Sequence, residues 1–127
     1  MSRSIRPVAL SALLGLVSVP VLAHHAFSSE FDMSKPVMLE GVVTRVEWEN
    51  PHIHFFIDVT DAQGNVVNWN CEGRGPNNLQ RRGWNKETLK IGDKVRVHGY
   101  LARDSSNMVD GRQVTMADGR QISSKGN

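Results

Sequence analysis

An all-β domain with one short helix is the fold class that residues 37 to 122 predict, and three observations predict it. Apolar residues alternate with polar ones in segment after segment, the period of a half-buried strand. Glycine, asparagine and aspartate punctuate those segments where hairpins would turn. One helix signal interrupts them, between the third and fourth strands. The order strand, strand, strand, helix, strand, strand is that of an OB-fold-like five-stranded Greek-key barrel, which closes most of its sheet edges.

The first strand is MLEGVVTRVEW, residues 38 to 48, rich in β-branched residues. Its apolar phase shifts at Gly41, with Leu39 on one phase and Val42, Val46 and Trp48 on the other, which predicts a bulge or sharp bend there. After Asn50 and Pro51, HIHFFIDVTD puts Ile53, Phe55, Ile57 and Val59 toward the core and His52, His54, Phe56 and Asp58 away from it. DAQGN, residues 61 to 65, is a hairpin connection. NVVNWNCEG continues with Val67, Trp69 and Cys71 on one face. GPNNLQRRGW suits a short helix, with Asn77 or Asn78 as N-cap and Gly83 as its stop. DKVRVHGYLAR then sets Val95, Val97 and Leu101 against Arg96, His98 and Tyr100. The last strand, RQVTMADGRQI, contains an Asp118-Gly119 turn.

Residues 1 to 23 read differently. Arg3 and Arg6 precede a run from Val8 to Val19 that is apolar apart from serine and glycine. A membrane span needs about 20 apolar residues, and this run ends too soon. Pro20 breaks it, and Val21 and Ala23 stand where a signal peptidase prefers small residues, so a secretory signal cut after Ala23 is expected. The expected organisation is a signal peptide at 1–23, an N-terminal segment at 24–36, the barrel domain at 37–122 and a tail at 123–127. The expected compartment is the periplasm or the exterior.

Removing the signal alters the charge. The whole chain has 15 basic and 13 acidic residues, and Arg3 and Arg6 leave with the signal, so 13 oppose 13 in the mature protein. A neutral exported domain is a poor nucleic-acid partner, because such binding needs a basic groove with stacking aromatics. No membrane span is expected after cleavage. With Cys71 as the only cysteine, no internal disulfide forms, and a core of about 100 residues has to hold the fold.

Several stretches together carry a resemblance. HHAFSSEFD, KPVMLEGVVTRVEWENPH and RRGWNKETLKIGDKVRVHGYLARD, followed by ADGR, resemble a family of small secreted bacterial proteins known as a domain of unknown function, DUF6152. The similarity runs from His24 to about Ile122, and the combination of HHxF, W-x-N-P-H and GW…LK-x-GD carries it. It implies export and one small domain, and supplies no activity. His24, His25 and His52 fall in that pattern, whereas His54 and Cys71 do not.

The histidines suggest chemistry. A cut after Ala23 would let the α-amine and imidazole of His24 chelate one ion, with His52 or His54 as a further nitrogen, a set that suits Cu(II). A cut one residue earlier would give Ala23-His24-His25, a different copper chelate. His52 and His54 would share a strand face at i and i+2, with Asp58 further along. The metal candidates are therefore His24, His25, His52 and His54, and copper is the cofactor they point to. The bland reading is that these are solvent-side histidines with no ligand role. The scattered Met33, Met38, Met108 and Met116 offer no thioether cluster.

Other residues weigh toward structure. Cys71 shares its phase with Val67 and Trp69 and reads as a buried small hydrophobe. Trp48, Trp69 and Trp84 read as core or barrel-end packing. Phe56 is the apolar residue on a polar phase, and with Asp58 and Tyr100 it marks a candidate ligand face, unless Phe27 or Phe31 packs over it. Arg81 and Arg82 form either a solvated helix face or an anion contact. No nucleophile elbow, catalytic carboxylate pair, phosphate loop or haem motif supports an enzyme. Two functions follow: a non-catalytic module binding Cu(II) or another divalent metal, and, as the alternative, a periplasmic adaptor without metal that binds an exported protein or small molecule.

Overall fold

In a computed structural model, residues 29–124 are described. The strands are β1 (Phe31–Glu47), β2 (His54–Thr60), β3 (Val66–Glu72), β4 (Lys94–Ala102), β5 (Met108–Met116) and β6 (Gln121–Ser123), and a short helix, α1 (Pro76–Gln80), lies between β3 and β4. They form a single sheet of order β3-β2-β1-β4-β5-β6, to which β3 and β5 add a short parallel pairing.

The five-stranded OB-like barrel is corrected by this arrangement. The architecture is a six-stranded sheet with a short helix, and β3 meets β5 over only three registered pairs, Asn70↔Met108, Cys71↔Val109 and Glu72↔Asp110. The last expected strand divides because Gly119 takes a positive φ of 86° and reverses the chain, so that Ile122 returns beside Val114. The true fifth strand begins earlier, at Met108. At the other end, β1 starts at Phe31, inside the segment assigned to the N-terminus, and Phe31 pairs with Ala102 and is buried.

The bend in β1 also lies elsewhere than expected. Leu39 and Val43 are buried while Val42 is exposed, and the register with β2 shifts between Val43 and Arg45. The phase change is therefore at Thr44. Gly41 has another cause: a Cβ there would come within 2.5 Å of the Asp58 carbonyl oxygen, so the backbone crossing of β1 and β2 requires its absence.

One side of β2 follows the alternation as expected. Ile53, Phe55 and Ile57 are fully buried, with Cys71, Val97, Val109 and Val114 beside them. Full burial of such side chains contributes about 1.5–3 kcal/mol each. Trp48 and Trp69 pack partly against this core. Helix α1 closes it with Leu79, and Trp84 and Leu89 follow. Its N-cap is Gly75, not Asn77 or Asn78, because Pro76 fixes the first helical residue. The chain leaves through Gly83 at φ 87°, whose N–H donates to the Gln80 carbonyl while the Trp84 N–H donates to that of Leu79.

Candidate functional site

The antiparallel register of β2 with β3 places residues equidistant from Gln63 opposite one another. Polar residues of the two strands thus meet on the face turned from the core. Asp58 lies across from Asn68, Phe56 from Asn70 and His54 from Glu72. The β1 register adds Arg45 beside Phe56 and Glu47 beside His54. The parallel pairing adds Asp110 beside Glu72, and β4 adds Tyr100 beside Asp110. Of the expected ligand-face residues, Phe56 and Asp58 share the outer face of β2 with His54, while Tyr100 lies on β4 beside the buried Asp110.

Cross-strand pairs hold this surface. Asn68 Nδ2 donates to Asp58 Oδ1 at 2.7 Å and to Thr44 Oγ1 at 3.1 Å. His54 Nδ1 lies 2.9 Å from Asn70 Oδ1. The Arg45 guanidinium stacks 3.8 Å above the Phe56 ring, and its Nε sits 3.3 Å from Glu47 Oε1. Arg112 binds Asp110 Oδ2 at 2.8 Å and reaches over the Tyr100 ring at 5.4 Å. Each aromatic ring therefore carries a cation, an attraction of about 0.5–1 kcal/mol at exposed sites. Of the two rings that could cover Phe56, Phe31 is buried beside Ala102 of β4, and Phe27 lies outside the described residues.

The metal reading does not survive. Among the described residues, no three His, Cys, Asp or Glu side chains group to hold an ion. His52 precedes β2 instead of sharing its face, and its Nδ1 contacts Glu72 Oε1 at 2.8 Å. His54 and Asp58 do share a face, but four residues of strand separate them by ~13 Å, too far for one ion. Among the described residues copper thus has no ligand set, and the expected metal-binding protein is corrected to one without such a cluster there. His24 and His25 lie outside the described residues.

Cys71 faces the core, where burial pushes its thiol pKa up and the side chain packs as a small hydrophobe. Asn68, Asn70 and Glu72 were absent from the expected site. Their signal was present in the sequence as the polar phase of β3, opposite Val67, Trp69 and Cys71. Glu72 and Asp110 are buried carboxylates on neighbouring strands; the His52 ring nitrogen lies against Glu72, and the Arg112 guanidinium pairs with Asp110.

What the fold and this face define is a small β-sheet domain with a polar, aromatic surface held by pairs between its strands. The chain belongs to a family of unknown function, DUF6152, whose profile matches residues 12–112. No curated protein and no solved structure matches it. Among the described residues no helix is long and apolar enough to cross a membrane.

Proposed function

We propose that this protein is an exported adaptor without metal, freed by cleavage after Ala23, that binds an exported partner protein through the outer face of β2 and β3. The observation that supports this reading is the Arg45–Phe56 stack amid the Asp58–Asn68 and His54–Asn70 pairs. Aromatic and arginine side chains carry a large share of binding energy at protein interfaces. Fixed pairs give such a surface a shape with little ordering cost on binding. The basic, apolar leader of residues 1–23 supports export.

The test combines intact mass with site-specific crosslinking in a bacterium that makes the protein. A periplasmic or secreted form beginning at His24 is expected, and a cell-retained chain beginning at Met1 would overturn export. A photo-crosslinker at Asn70 should trap a discrete partner, and Phe56→Ala with Arg45→Glu should abolish the adduct while circular dichroism stays unchanged. Equal trapping from a crosslinker at Ala62, in the β2–β3 turn, or adducts indifferent to Phe56 and Arg45, would sink the face as the binding surface.

A further inference from the structure

We propose that a second site, the cleft between the Arg82–Asp93 connection and the β5–β6 hairpin, binds a small organic monocarboxylate with an apolar body. The cleft measures about 710 Å³, with Arg82, Trp84 and Lys90 on one wall and Met116, Arg120 and Ile122 on the other. That volume falls within the roughly 300–1,000 Å³ of small-molecule sites. Met116 and Ile122 are half-buried and pack against the core, so they offer apolar contact without leaving it.

The polar groups of the cleft divide into those with a structural task and those without one. Gly92 turns the chain at φ 95° and donates its N–H to the Val43 carbonyl. The Asp93 carboxylate accepts the Lys90 backbone N–H at 2.8 Å. Leu89 enters the core, and the Arg120 Nε binds Asp118 at 2.6 Å. The turn geometry thus explains most of LKIGD. It does not explain the Lys90 ammonium, the Arg82 guanidinium or the Trp84 indole N–H. Among the described residues, neither cation has an ion pair, and Trp84, only 3% exposed, leaves Nε1 without an acceptor. A buried donor without an acceptor is uncommon, because desolvation is then uncompensated.

Two cations without ion pairs beside apolar side chains ask for a partner with negative charge and a hydrocarbon body. A carboxylate supplies two oxygens, either of which can accept from a cation. Glu87 lines the same cleft without an ion pair among the described residues. Its charge opposes a second negative group on the ligand, which selects a monoanion over a dianion. This site shares no residue with the β2–β3 face, so its fate is separate from that of the adaptor reading.

The experiment is a titration of the ¹⁵N-labelled mature protein with benzoate and hexanoate, beside benzamide, hexanamide and succinate. Saturable binding of at least one monocarboxylate is expected, with a shift of the Trp84 indole N–H resonance. The matching amide and succinate should bind at least tenfold more weakly, as should benzoate or hexanoate to an Arg82→Ala/Lys90→Ala variant. Both positions are exposed, so that variant keeps the fold. No saturable binding at millimolar concentrations, equal binding of acid and amide, or affinity unchanged in the double variant would each overturn the site.

Discussion

At the scale of single residues, the two sides of β2 differ in what they contribute. Ile57 is wholly buried among core side chains, while its neighbour Asp58 holds Asn68 at a wet surface. Ile57→Ala removes three carbons and leaves a cavity, and core truncations of this kind cost about 2–5 kcal/mol. Asn68→Ala removes two exposed hydrogen bonds, each with a net worth of about 0.5–1.5 kcal/mol, and water replaces them in part. Urea unfolding should therefore show a midpoint shift several times larger for Ile57→Ala than for Asn68→Ala; the reverse order would contradict the assignment of faces. This division was legible in HIHFFIDVTD, because strict alternation identifies both faces of a strand. The Phe56 partner was not legible, since Arg45 reaches that ring only through the register shift at Val43/Arg45.

Elements follow the same logic with a different limit. A hairpin centred in DAQGN fixes every β2–β3 pair at once, so the meeting of His54 with Glu72 followed from the turn. The β3–β5 pairing had no such local origin. It joins strands that are distant in the chain, and the turn at Gly119 makes two strands of what one alternating run suggested. The metal expectation failed for a related reason. It joined His24 or His25 to His52 or His54, but among the described residues His52 turns to Glu72, His54 to Asn70, and no three ligand side chains group together. Glycines tell where strands must approach closely. A Cβ at Gly99 would overlap the Asp110 carbonyl oxygen, where the β4–β5 register shifts, whereas one at Gly111 would meet its nearest atom, the Glu72 carbonyl oxygen, at 3.4 Å. Gly99→Ala should destabilise by about 1–3 kcal/mol, the usual range for forced overpacking. Gly111→Ala should cost less, and matched thermal melts of the two variants check the order.

Across the whole molecule, one device recurs where the chain turns. Asp32, Asp61, Asp104 and Asp118 each accept a backbone N–H from the residue two positions on, at Ser34, Gln63, Ser106 and Arg120. The carboxylates serve the bulge in β1 and the β2–β3, β4–β5 and β5–β6 connections. Hydrogen bonds favour their charged form and hold every one of these four below the ordinary aspartate range. The largest cause is the Ser34 hydroxyl for Asp32, the Asn65 amide for Asp61, the Ser106 side chain for Asp104 and the Arg120 backbone N–H for Asp118. Because the folded pKa values are depressed, the unfolded chain binds more protons below an unfolded value of about 3.9. Stability from these groups is then fully present above that value and is lost as pH falls through the folded values. Urea midpoints should be flat in this contribution above about pH 5 and decline below about pH 4. Replacing all four aspartates by asparagine keeps an acceptor oxygen at each turn but removes the titration. The variant should retain its fold at neutral pH and show a shallower acid decline than the parent. An unchanged decline would mean that the acid sensitivity does not come from these four turns.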